Sequence, residues 1–262
     1  MMTTREPAVA GSFYPADPLV LQTRLDELFA DVSSEYPPPK AMIVPHAGYI
    51  YSGPVAASGY ASLAPVAGQI KRVILLGPSH REAFSGLAAP TADAFRTPLG
   101  NIALDRGSID EVLLLPQVHT DDGAHLLEHS LEVHLPFLQR VLGTFTLVPL
   151  LVGDASAEDV SEVIQLLWGG RETLLVISSD LSHYLDYESA RARDAATSRA
   201  IESLAYEQID YHDACGRNPI KGLLHYARNH DLKIRAIDLR NSGDTAGPRD
   251  QVVGYGTYLL SE

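Results

Sequence analysis

His46 and His80 are the residues of this chain whose types and positions first suggest chemistry. His46 stands in Pro45-His46-Ala47-Gly48 and His80 in Gly77-Pro78-Ser79-His80, each in a proline-bearing turn directly after a short apolar run. Imidazole suits iron, copper and zinc, and a stiff loop limits the entropy lost on chelation. Either histidine alone reads as a surface-loop residue; the two together, after equivalent runs, read as a site. The single cysteine, Cys215, precedes Gly216-Arg217-Asn218-Pro219, where Asn218 and Pro219 mark a helix start. A helix N-terminus and Arg217 would favour its thiolate, the form that binds metal or attacks an electrophile. A buried structural cysteine is the plainer alternative.

Two other segments carry titratable clusters. In Glu128-His129-Ser130-Leu131-Glu132-Val133-His134-Leu135-Pro136, a helix would put His129 and Glu132 on one face, able to orient an imidazole or to form an acid–base couple. Pro136 conflicts with the carbonyl of Glu132, and a polar helix start with capping residues fits the same spacing. The segment lacks the HExxH zinc signature. In Ser178-Ser179-Asp180-Leu181-Ser182-His183, Asp180 and His183 could supply a carboxylate ligand and a general base, or Asp180 could cap a following helix. His119, His125, His212, His225 and His230 show no comparable context and default to surface or structural roles.

These side chains need a frame. The apolar runs 41–44, 73–76, 145–152 and 174–177 have the look of buried strands. Between them, 54–63, 108–115, 131–142 and 157–168 follow helical periodicity. Asp17-Pro18 opens an earlier helix with Leu21, Leu25, Leu28, Phe29 and Val32 on one face. Strands alternating with helices imply βαβ units, hence a mainly parallel or mixed sheet covered on both faces. The runs 233–239 and 252–260 alternate more cleanly and read as later antiparallel strands joined by Asn241-Ser242-Gly243-Asp244. Ligands of open α/β sheets bind beyond the carboxyl ends of the strands. Three such ends deliver His46, His80, Asp180 and His183 to one rim.

Composition bounds the rest. A chain of 262 residues with 45% hydrophobic and 20% charged residues fits one large globular domain, expected here over 1–262. Pro37-Pro38-Pro39 is too short to separate domains. No apolar run approaches a membrane span, and the N-terminus lacks a signal-peptide core. One cysteine allows no intramolecular disulfide, so a cytoplasmic location is expected. The net charge of −13 argues against nucleic acid and anionic membranes, and leaves room for a small or cationic partner.

Taken together, the ordered blocks resemble the Memo family, whose prokaryotic members are called AmmeMemoRadiSam system protein B. The resemblance runs nearly end to end, from Arg5-Glu6-Pro7-Ala8-Val9-Ala10-Gly11-Ser12-Phe13-Tyr14-Pro15 and Pro45-His46-Ala47-Gly48-Tyr49-Ile50-Tyr51-Ser52-Gly53 through the His80, Glu128–Pro136 and Ser178–His183 motifs to Cys215-Gly216-Arg217-Asn218-Pro219-Ile220. It implies the fold of the extradiol-type (LigB-like) non-heme iron dioxygenases: a three-layer αβα sandwich around a central mixed, largely parallel sheet. It implies His46, His80 and Cys215 as metal ligands for iron(II) or copper, with zinc also suited. His183, Asp180 and His129 fall in the catalytic role, and Glu132, His134 and Tyr51 on the substrate side. Those dioxygenases carry a carboxylate where this chain has a thiol, so ring cleavage does not transfer with the fold. The functions implied are a metal-dependent redox enzyme, a peptide-binding or metal-handling scaffold, or metal-free chemistry at Cys215. A small-molecule or peptide ligand follows, with Ammecr-type and radical-SAM proteins as pathway partners.

Overall fold

The computed structural model describes residues 3–30, 32 and 36–261. Within them the strands are β1 (Thr4–Arg5), β2 (Ala41–Val44), β3 (Arg72–Pro78), β4 (Leu87–Ala89), β5 (Ala94–Thr97), β6 (Gly100–Ala103), β7 (Val118–Thr120), β8 (Thr146–Val152), β9 (Thr173–Ser178), β10 (His183–Leu185), β11 (Lys233–Asn241) and β12 (Val252–Ser261). A nine-stranded sheet runs in the order β10-β12-β2-β9-β3-β8-β4-β7, with β11 also on β12, and β1-β5-β6 form a separate small sheet.

The centre of the main sheet is parallel: β2 pairs with β9, β9 with β3, and β3 with β8. These four strands are apolar on both faces and buried almost throughout, as strands covered from both sides must be. Helices Pro18–Ala30, Gly53–Ala61 and Leu135–Leu142 pack together as one group. Helices Ala157–Leu167 and Arg217–Asn229 form another, the latter lying against β3 and β9. The architecture is an α/β sandwich.

The sheet is not largely parallel, which corrects the expectation from sequence. Six of its nine strands (β2, β4, β8, β10, β11 and β12) run antiparallel to at least one neighbour. The reason is connectivity. The terminal β11–β12 hairpin inserts β12 beside β2, and β12 then pairs antiparallel with β2, β10 and β11. On the other flank β4 returns from β3 with no crossover helix and meets β8 antiparallel. Reading every strand–helix alternation as a βαβ unit missed both turns, although the antiparallel β11–β12 pair itself lies where the alternating runs put it.

Local chemistry sets the helix ends. Ser156 and Asp159 form a reciprocal capping box at Ala157–Leu167, and Asp186 caps the polar helix Tyr187–Glu202, which the apolar periodicity did not reveal. The 131–142 stretch splits into a short 3-10 turn, Glu132–His134, and a helix beginning at Leu135 with proline in its first turn. For the site, register matters most. Val44 of β2 lies opposite Ser178 of β9, and Leu76 of β3 opposite Ile177. The carboxyl ends of the three strands therefore finish side by side.

Candidate metal centre

His46, His80 and Cys215 converge just beyond those three ends. One ligating atom from each lies within 4.8 Å of the others. The Cys215 sulfur is 3.4 Å from His46 Nε2, and the His46 and His80 rings are 5.2 Å apart, edge to face. Cys215 reaches this point because its loop lies directly on the end of β9. The Gly216 N–H donates to Ser179 Oγ at 2.9 Å, and the Cys215 N–H to the Asp180 carbonyl at 3.3 Å. A Cβ at Gly216 would stand 2.5 Å from the Ser178 carbonyl oxygen, so only glycine permits this approach.

Both histidines are oriented through Nδ1. His46 Nδ1 lies 2.6 Å from Ser178 Oγ, and the Asp180 carboxylate accepts the His46 backbone N–H at 2.8 Å. His80 Nδ1 lies 2.9 Å from Glu128 Oε1. Metal-binding imidazoles are usually held in this way, one nitrogen tethered to an oxygen so that the other faces the ion. Glu128 is the functional residue that sequence reasoning passed over. Its carboxylate also accepts the backbone N–H groups of His80, His129 and Ser130, at 2.5, 2.8 and 2.8 Å. Burial pushes this carboxyl up, but the side-chain and backbone hydrogen bonds from His80 outweigh it and hold Glu128 down at about 2.

The His80, Glu128 and His129 donors also lie close enough to one another for a metal. Four protein donors already fill Glu128, however, and it serves better as the carboxylate that aims His80. His129 stacks on the His80 ring at 4.8 Å, stands 5.6 Å from the His46 ring, and is covered by Phe13 at 4.8 Å. Burial, against the pull of Glu128, lowers it to about 4. Burial and the surrounding imidazoles likewise keep His46 well below its ordinary value, hence neutral and able to ligate.

Cys215 differs from its expected state. Burial, then the Asp180 carboxylate, raises its thiol instead of lowering it. Arg217 does not counter this; its guanidinium stacks on the Tyr211 ring at 5.0 Å. A free thiolate nucleophile is therefore disfavoured, and the sulfur gives up its proton when a cation takes that proton's place. Asp180 caps no helix. Its Oδ2 stands 4.0 Å from His46 Nε2, and burial raises its carboxyl while nearby His183 draws it down.

The remaining candidates scatter. His183 begins β10, half-buried near Asp180, and Tyr51 is 39% exposed. Glu132 and His134 have no exposed surface. His134 lies 2.8 Å from Ser178 Oγ through Nε2 and 2.9 Å from the Tyr60 hydroxyl through Nδ1, and burial takes it down to about 3. Glu132 is ion-paired to Arg5 and accepts the Ala8 and Val9 N–H groups and the Tyr14 hydroxyl, so its carboxylate pins the N-terminal segment over the site. His129 and Glu132 do not share a helix face, because residues 128–131 are not helical.

Comparison with known proteins gives the family. A family model described as Memo-like protein matches residues 5–259. The chain belongs to the Memo-like family. A MEMO1 family protein of Aquifex aeolicus is 37% identical to it, covering 97% of this chain and 98% of that protein. A MEMO1 family protein of Sulfolobus acidocaldarius is 36% identical, over 96% and 97% of the two chains. A relative of the same description from Thermotoga neapolitana is 35% identical, over 98% and 99%. The fold is also similar to the crystal structure of the uncharacterized protein JW3007 from Escherichia coli K12, with a TM-score of 0.50 and 13% identity over 84% of this chain and 98% of that one.

Proposed function

We propose that this Memo-family chain is a redox protein that holds one iron or copper ion on His46, His80 and Cys215 and acts on a small molecule. The single observation carrying the reading is the convergence of three donor atoms within 4.8 Å, on loops that tether both imidazoles from behind. Two neutral imidazoles and one sulfur make a soft-to-borderline donor set, suited to iron(II), copper(I) or zinc. When bound, the metal supplies a Lewis-acidic, redox-active centre with positions left for a ligand.

The chain's own residues do the rest. Asp180, with one oxygen on the His46 amide and the other 4.0 Å from its ring, orients a ligand at the cluster. His183, half-buried beside it, carries protons between that ligand and solvent. His129, stacked on His80 beneath Phe13, walls the cluster on the side facing the N-terminal segment. The raised Cys215 thiol favours a metal-bound sulfur over metal-free nucleophilic chemistry. Anaerobic loading with iron(II) or copper(I), followed by oxidation, should give a thiolate-to-metal charge-transfer band that Cys215→Ser abolishes. A wild type with no such band, or a band that survives in Cys215→Ser, would defeat this assignment.

A further inference from the structure

Behind the cluster lies a buried hydrogen-bond junction that the metal ligands themselves do not explain. Ser178 Oγ sits within hydrogen-bond distance of three groups at once: the Ser130 carbonyl at 2.6 Å, His46 Nδ1 at 2.6 Å and His134 Nε2 at 2.8 Å. A serine hydroxyl has one proton to give and two lone pairs. The Ser130 carbonyl can only accept, so it takes the hydroxyl proton. Both imidazole nitrogens must then be N–H donors, which fills the two lone pairs.

This count fixes both rings. His46 carries its proton on Nδ1, which leaves a lone pair on Nε2, the nitrogen 3.4 Å from the Cys215 sulfur. His134 carries its proton on Nε2, so its Nδ1 must accept, and among the described residues the Tyr60 hydroxyl, 2.9 Å away, supplies that hydrogen bond. Ser178, Ser130, His134 and Tyr60 all have less than 2% of their surface exposed, so no water competes to change the pattern.

We infer that Ser178 is a positioning residue whose proton count, set by the Ser130 carbonyl, locks His46 in the Nδ1–H form and aims Nε2 at the metal position, with His134 and Tyr60 completing the network behind it. The inference rests on the metal reading above and deepens it. Ser178 is the junction, while His134 and Tyr60 act one and two bonds further back. His134, expected on the substrate side, gains a role that needs no contact with substrate. The arrangement parallels the hold of Glu128 on His80, with a neutral hydroxyl in place of a carboxylate.

The test reads tautomers directly. Long-range proton–nitrogen correlation spectra of the metal-free full chain, labelled with 15N in its histidine rings, should show His46 protonated on Nδ1 and His134 on Nε2. Ser178→Ala should lose the single His46 tautomer and weaken Zn2+ binding by about 10–100-fold, read by competition with a chromophoric chelator. Tyr60→Phe should keep both tautomers, because Ser178 still requires two N–H donors, and Zn2+ should still bind; loss of the His46 tautomer there would overturn the count. A wild-type His46 protonated on Nε2 overturns the inference, and so does a Ser178→Ala protein with unchanged tautomer and affinity. Should Ser178→Ala fail to fold, the wild-type and Tyr60→Phe spectra decide. A wild type that binds no Zn2+ would count against the metal reading alone, since the tautomer assignment is judged without metal.

Discussion

Replacing Glu132 by glutamine should cost this protein about 3–5 kcal/mol, the usual consequence of breaking a fully buried ion pair from one side. The side chain has no exposed surface, and each of its oxygens serves two donors. One accepts from Arg5 and Ala8, the other from Val9 and Tyr14. Turned toward Arg5 and Ala8, a glutamine NH2 group satisfies neither donor; turned toward Val9 and Tyr14, it can donate to the Tyr14 hydroxyl but leaves the Val9 N–H unpaired. Each orphaned donor costs about 1–3 kcal/mol, and the Arg5 charge is left buried without its counter-ion. That is a large share of a typical stability of about 5–15 kcal/mol. Urea unfolding followed by circular dichroism measures the loss as a lowered midpoint with an unchanged slope. The Arg5→Met, Glu132→Gln double variant should lose less than the sum of the single changes, because the stranded charge is gone. A Glu132→Gln protein within about 1 kcal/mol of wild type would refute the reasoning and return Glu132 to the substrate side.

Other consequences follow from the same geometry. Glu128→Gln removes the carboxylate that aims His80 and should weaken metal affinity by about 10–100-fold in a chelator competition; unchanged affinity would reopen Glu128 as a ligand of its own. Metal-free Cys215 should react with iodoacetamide at neutral pH well below the rate of a free cysteine, since burial and Asp180 keep the thiol protonated. Metal binding must expel that proton, so affinity should rise about tenfold per pH unit between pH 6.5 and 8.5; a flat profile would contradict a protonated starting thiol. Stability should fall with acid in two stages. The unfolded chain protonates histidines near 6.5 whereas folded His125 and His129 wait until about 4, so stability is full above 6.5 and drains as pH falls toward 4. Glu128, ordinarily 4.5 and held at about 2, removes more as pH drops through that lower range, up to about 3 kcal/mol. Stability independent of pH between 7 and 4 would rule out neutral buried histidines.

What the sequence made legible follows the range of the interaction concerned. His46 and His80 could be found because an apolar run followed by a proline turn is a local pattern, and the pattern sits at two strand ends. Cys215 emerged only from the order of motifs along the whole chain, for its local context suggested a lowered thiol value that burial reverses. Glu128 and Ser178 were invisible as orienting groups. Their partners lie 48 and 132 residues away, and nothing in the spacing records those meetings. Glu132 misled for the same reason, since its partner Arg5 is 127 residues distant. The positions of β2, β3, β8, β9, β11 and β12 were readable from apolar or alternating runs, as was the antiparallel sense of β11 and β12, whereas the short β1, β4, β5, β6, β7 and β10 went unread. A run such as Leu87–Ala89 carries no mark of whether it returns beside β8 or crosses over, and direction there depends on connections that periodicity does not encode.

The central claim is that His46, His80 and Cys215 hold a metal ion together, and one measurement addresses it most directly. Metal content should be determined by mass spectrometry on wild type, His46→Ala and Cys215→Ser, each prepared without oxygen and loaded with iron(II) or copper(I). The account expects one ion per wild-type chain and a large loss in both variants, with circular dichroism confirming that they remain folded. Wild type without stoichiometric metal, or folded variants that keep the full ion, would contradict it.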